Sequence, residues 1–152
     1  MEVLQQFSEQ VENVERLLRT VGQVIKKRGR EILAEFEITP PQFDALLILI
    51  QSGVLTIGEL GEKMYLACST ATDLVDRMER NGLVVRERDT VDRRVIRLKV
   101  LPRGHHMLAE VMAARKRYLS DVLERVSPDE TQAMILALTH FSELMTQEGV
   151  NN

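Results

Sequence analysis

The residues most able to do chemistry fall in two neighbouring groups. From Val84 to Gly104 stand seven basic side chains, Arg86, Arg88, Arg93, Arg94, Arg97, Lys99 and Arg103, against three acidic ones, Glu87, Asp89 and Asp92. The chain as a whole has a formal net charge of −3, so this segment is a positive patch on an acidic body. Such a patch concentrates attraction for phosphate at one place. The plainer alternative is a solvated hairpin whose charges pair with one another. Just upstream, Ser69, Thr70 and Thr72 bring short hydroxyls to the start of a helical segment that also carries Asp73 and Arg77. Hydroxyls there can bond phosphates or base edges, aided by the helix N-terminus, or one of them can simply cap the helix. Arg77 can reach an external anion or pair with Asp73 one turn away.

Other chemistries find little support. Cys68 is the single cysteine, which excludes an internal disulfide and any multi-cysteine metal site and suits a reducing, cytoplasmic setting. At a helix N-terminus its thiol can be activated; the bland reading is a small packing residue. His105 and His106 diverge by about 100° on a helix, His140 is distant in sequence, and neither of the adjacent pair is read as having a carboxylate partner one turn on. No metal and no cofactor are therefore expected. The chain has no Gly-rich phosphate loop, nucleophile elbow or H-E-x-x-H motif, so it does not read as an enzyme. Its 152 residues, 44% hydrophobic and 28% charged, suit one globular domain, two at most. The longest apolar run, Ala45 to Ile50, is far short of the ~18 residues that span a bilayer. Met1-Glu2-Val3 opens no signal-peptide pattern. A cytoplasmic protein without a membrane partner is expected.

The elements that must position these groups follow from periodicity and punctuation. Leu4, Phe7, Val11, Val14, Leu18, Val21 and Ile25 recur at alternating steps of three and four, a heptad seam on a long first helix. Arg28 and Gly29 interrupt the stripe before Ile32. The seam packs either on the rest of the chain or on a second copy. Thr39-Pro40-Pro41 opens a second helix, with Thr39 as N-cap and Phe43, Leu46, Leu47 and Ile50 as its buried face. Thr56 caps a short third helix. After the bend Tyr65-Leu66-Ala67, a fourth runs from about Cys68 to Arg80 and stops at Asn81-Gly82. Ala71, Leu74, Val75 and Met78 face inward. The two short helices form a helix-turn-helix candidate. The period then changes to two: Leu83–Arg88 and Val95–Val100 read as strands of a hairpin, with Ile96, Leu98 and Val100 on one face and a polar, charged tip between. Pro102 and Gly104 return the chain to helix. Ser127-Pro128-Asp129-Glu130 starts a last helix with a capping box, and Gly149, Asn151 and Asn152 are expected to fray.

Taken together, the run Asn81-Gly82-Leu83-Val84-Val85-Arg86-Glu87-Arg88-Asp89-Thr90-Val91-Asp92-Arg93-Arg94 resembles the wing signature of MarR-type transcription regulators. Thr56-Ile57-Gly58-Glu59-Leu60-Gly61 resembles the first helix-turn-helix element of that family. Ser69-Thr70-Ala71-Thr72 with Leu74-Val75-Asp76-Arg77-Met78-Glu79 resembles its recognition helix. Two positions depart from the family pattern. Leu101-Pro102 replaces the usual Leu-Thr, and Asp73 stands where an arginine is common. A carboxylate there can read a cytosine amino group or hold a neighbouring arginine.

The resemblance implies a mainly α fold with a small β-hairpin, a winged helix-turn-helix flanked by N- and C-terminal dimerisation helices. The corresponding segments are 1–34, 35–102 and 103–152. It further implies a homodimer on palindromic double-stranded DNA, acting as a repressor released by a small aromatic effector. Ser69, Thr70, Thr72, Asp73 and Arg77 would lie at the major groove. Arg88, Asp92, Arg93 and Arg94 would serve the wing: Arg93 or Arg94 in the minor groove, and Asp92 orienting an arginine. Two rivals stay open: an oxidant-sensing DNA-binding regulator switched through Cys68, and a helical adaptor or small enzyme that uses the hairpin for protein contacts.

Overall fold

The computed structural model describes residues 2–148; the side chain of Leu4 and the tail residues Gly149, Asn151 and Asn152 lie outside the described residues. The chain forms two compact units, Met1–Met112 and Ala113–Asn152. The first holds α1 (Glu2–Glu35), α2 (Pro40–Ser52), α3 (Ile57–Lys63), α4 (Cys68–Arg80), β1 (Val84–Arg88), β2 (Ile96–Val100) and the first half of α5 (Pro102–Leu123). The second holds the rest of α5 and α6 (Pro128–Glu148).

Three helix starts are set by capping boxes. Thr39 Oγ1 accepts from the Gln42 N–H while the Gln42 side chain accepts from the Thr39 N–H. Thr56 and Glu59 repeat this capping box at α3, and Ser127 and Glu130 repeat it at α6. Each pair satisfies two backbone donors that a helix start leaves open. The α3–α4 turn closes through Leu66 N–H donating to the Gly61 carbonyl at 2.9 Å, with Tyr65 at φ 55°. A Cβ at Gly61 would sit 3.2 Å from the Ala71 Cβ, so the two helices approach closely there. Asn81 ends α4 and Gly82 turns out of it at φ 69°.

The core of the first unit is built where these elements meet. Phe43, Leu46, Leu60, Val75, Met78 and Leu98 are all essentially buried. Ala71, Leu74, Val75 and Met78 form the inward stripe of α4, as their spacing requires. The long first helix, α1, runs unbroken through Arg28 and Gly29, because a single glycine costs a long helix only about 1 kcal/mol. Two expectations need correction. The buried face of α2 is Gln42, Phe43, Ala45, Leu46 and Leu49, with Leu47 and Ile50 half-buried, since α1, α3, α4 and β2 all pack on it. In β2, Leu98 is buried and Val100 half-buried, but Ile96 is 44% exposed. The antiparallel register pairs Val84 with Val100, Arg86 with Leu98 and Arg88 with Ile96. Burial falls from the base of the hairpin to its tip, so Ile96 has no body to pack against. Leu55 adds an isolated bridge to Leu98, whose N–H donates to the Leu55 carbonyl at 2.7 Å.

Candidate nucleic-acid interface

The outer side of α4 presents Ser69, Thr70, Asp73 and Arg77, all exposed. The N-cap position belongs to Ala67 and no side chain caps this helix. The capping role weighed for Ser69, Thr70 or Thr72 is thereby set aside, and the first N–H groups of α4 keep their unfilled donor capacity. Thr72, which is half-buried, donates instead from Oγ1 to the Cys68 carbonyl at 2.9 Å. Cys68 itself is exposed. No ion pair within 4.0 Å joins Asp73 to Arg77 among the described residues, so both charges remain open. They border a cleft of about 170 Å³ with Thr39, Gln42 and Thr70.

The wing is braced by side-chain contacts as well as by its strand pairing. Asp89 accepts from the Val91 N–H at 2.7 Å and the Asp92 N–H at 3.2 Å, and it pairs with the Arg97 guanidinium across the hairpin. That guanidinium, followed by the two backbone donors, pulls the Asp89 carboxyl down to a pKa of about 2. Asp92 accepts from the Arg94 N–H at 3.0 Å, and its carboxylate lies 3.8 Å from the Arg94 Nε. Asp89 was missed as an organiser, although an Asp two residues before an amide in a turn is the usual sign of such a loop.

At the wing's base, Arg86 forms a fork. Nη2 donates to Asp76 Oδ1 at 2.5 Å, Nη1 pairs with Glu79, and the Arg86 N–H donates to Glu79 Oε1 at 3.2 Å. The bond to Asp76, then the one to Glu79, raises the Arg86 pKa further. Arg86 and Arg97 are therefore held against carboxylates while partly buried, and Lys99, though exposed, lies 3.5 Å from Glu87. Arg88, Arg93 and Arg94 stay exposed toward the tip, the Arg94 side chain at 95%. The basic patch is thus partly the paired hairpin of the plainer reading, with an exposed end at which Arg94 alone has a loose carboxylate neighbour, Asp92.

Two further observations bear on other chemistry. His106 does have a carboxylate one turn on: its Nε2 lies 3.5 Å from Glu110 on α5, a spacing the sequence reading passed over. Among the described residues, no group of three or more His, Cys, Asp or Glu is placed to hold a metal, and no helix is long and apolar enough to cross a membrane.

A family model described as the MarR family matches residues 38–96, which span α2 to the start of β2. An uncharacterized HTH-type transcriptional regulator of Bacillus subtilis, YsmB, is 50% identical over 122 residues, covering 80% of this chain and 84% of that protein. The HTH-type transcriptional repressor MdtR of the same organism is 30% identical over 130 residues, covering 86% and 81%. The solved structure of a MarR family protein from Bacillus stearothermophilus superposes with a TM-score of 0.82 at 49% identity, covering 91% of this chain and 97% of that one. With half of the aligned residues identical along most of a regulator's length and the same arrangement of helices and wing, the chain belongs to the MarR family of helix-turn-helix transcriptional regulators.

Proposed function

We propose that this DNA-binding regulator works as a homodimeric repressor, each protomer offering one winged lobe to half of a palindromic operator. α4 enters the major groove, where Ser69, Thr70, Thr72, Asp73 and Arg77 meet phosphates and base edges. The wing lies over the neighbouring minor groove with Arg88, Arg93 and Arg94, and Asp92 keeps Arg94 in place. The observation that carries this reading is the division of charge in the hairpin: its inner cations are paired, while those at its tip are exposed. Dimerisation is supported by the seam of α1, where Phe7, Val11, Val14, Leu18, Val21 and Ile25 are each roughly half or more exposed. In the second unit, Leu136, Leu138, Phe141 and Leu144 of α6 are likewise uncovered. Repression is supported by the likeness to MdtR, which is named a repressor. Release by a small aromatic effector follows the family resemblance; by linkage, such a ligand binds the DNA complex more weakly than the free protein.

The test begins with duplexes selected from a random pool, then compares the selected operator with scrambled DNA at several salt concentrations. Arg94→Ala should weaken binding to both and lower the salt slope by about one for each phosphate that the side chain neutralises. Thr70→Ala should cost on the order of 1–3 kcal/mol on the operator if the hydroxyl reads a base, and far less on scrambled DNA. An Arg94→Ala protein with unchanged affinity and slope removes the wing from the interface. Equal weakening on both duplexes in Thr70→Ala removes base reading from α4.

A further inference from the structure

The two elements assigned to DNA are joined by one side chain. Asp76 and Glu79 stand three residues apart on α4, and Arg86 stands at the middle of β1, opposite Leu98. The Arg86 guanidinium takes one carboxylate on each arm, and its backbone N–H takes Glu79 a second time. On the other side, Leu98 is fixed by the bridge from Leu55. Only Asn81, Gly82 and Leu83 separate α4 from β1. A hairpin on so short a link can still swing about its base, and a planar fork seated on two carboxylates opposes that motion in a way a point charge does not.

We propose that Arg86 is a positioning residue that sets the separation between the base-reading helix and the wing, and so fixes where an A·T-rich flank must lie relative to the half-site. This rests on the reading of α4 and the wing given above. Neighbouring base pairs are about 3.4 Å apart along the duplex. A wing held at one distance from α4 therefore meets its preferred narrow groove at one flank position and misses it when the flank moves by a single pair. The competing account is electrostatic only: Arg86 neutralises two carboxylates that would otherwise repel the DNA.

The two accounts separate in a triple variant, Arg86→Ala with Asp76→Asn and Glu79→Gln, which removes the fork and the repulsion together. Binding is measured on operators whose A·T flank is moved by one pair in either direction, with scrambled DNA as reference. The wild-type protein should prefer one flank position by on the order of tenfold. The triple variant, which is one unit more positive, should bind scrambled DNA at least as tightly as wild type, because every side chain assigned to phosphate is still present, while its flank preference falls to within about twofold. A triple variant that keeps the wild-type preference overturns the proposal. If that variant does not fold, as judged by its circular dichroism and melting, Arg86→Lys takes its place. It keeps the charge without the fork and should also lose the preference; retention overturns the proposal. A wild-type protein with no flank preference, together with an Arg94→Ala variant of unchanged affinity, removes the wing from the interface and the role of Arg86 with it. A flank preference that survives removal of the fork eliminates only the role of Arg86.

Discussion

Replacing Gly104 by alanine tests the packing beneath the wing. Gly104 lies in the first turn of α5 and is buried. A Cβ there would stand 2.5 Å from the Leu83 carbonyl oxygen, 2.7 Å from Val100 Cγ1 and 3.2 Å from Leu46 Cδ2. The nearest of these is backbone and cannot rotate away. It is also engaged, since it accepts from the Leu101 N–H at 2.9 Å and so ties the start of β1 to the end of β2. Alanine in a helix is favoured over glycine by up to about 1 kcal/mol. Overpacking costs about 1–3 kcal/mol, and contact with fixed backbone belongs at the upper end. The net expectation is a loss of about 2 kcal/mol, or a fall in melting temperature of about 4–8 °C for a chain of this size. Thermal unfolding at fixed protein concentration reads this directly. Gly58→Ala serves as the control, because its Cβ would meet nothing closer than Thr56 Oγ1 at 3.9 Å, and it should be neutral or slightly stabilising. A Gly104→Ala protein as stable as wild type would refute the packing argument.

Other outcomes follow from the same structure. Half-burial of an aliphatic side chain is worth about 1 kcal/mol, so the seam residues of two α1 helices supply on the order of 10 kcal/mol, comparable with the cost of association. Leu18→Glu, at a position 45% exposed in the single chain, should therefore convert the proposed dimer to monomer in sedimentation at micromolar concentration; an unchanged dimer would place the interface elsewhere. Asp89 has a carboxyl pKa depressed from 3.8 to about 2, so its contribution is complete above about pH 4 and is lost as pH falls toward 2. Wing order should be flat from pH 5 to 8, and Asp89→Asn should speed hydrogen exchange of the Val91 and Asp92 amides at neutral pH; unchanged exchange would mean the carboxylate does not hold the turn. Thr56→Ala removes one capping box and should cost about 1 kcal/mol of stability, read by denaturant unfolding.

What the sequence revealed was the part written in neighbouring residues. α4 ends at Arg80 because Asn81-Gly82 cannot easily continue a helix, and the α2, α3 and α6 starts are each carried by a Thr or Ser three residues before a Gln or Glu. What escaped it needed distance or register. α4 starts at Cys68, where the sequence puts it, so Ala67 is its N-cap and Ser69 and Thr70 already lie in the first turn, which ends any capping role. Nothing near Arg86 announces Asp76 and Glu79, seven to ten residues away on another element. Gln42 is 4% exposed, which its polarity alone argues against; it is tolerated because its amide oxygen accepts the Thr39 N–H. The His106–Glu110 pair was legible at four-residue spacing and was simply not read.

The acidic residues of the lobe explain how a chain of net charge −3 can present a basic surface. Asp76 and Glu79 hold Arg86, Asp89 holds Arg97, and Glu87 stands beside Lys99. Each of these four carboxylates faces a cation, within the hairpin or between it and α4, while Asp73 on the outer side of α4 has no ion pair among the described residues. A fixed, neutralised strut contributes little to long-range attraction, but it keeps the tip from folding back. The field felt by an approaching duplex is then dominated by the cations left over, Arg88, Arg93 and the weakly tethered Arg94 at the tip, with exposed Arg103 beyond the hairpin. A plain count of seven basic residues overstates the attraction and misplaces it. Rigidity and charge come from the same set of side chains, divided by which of them found a partner.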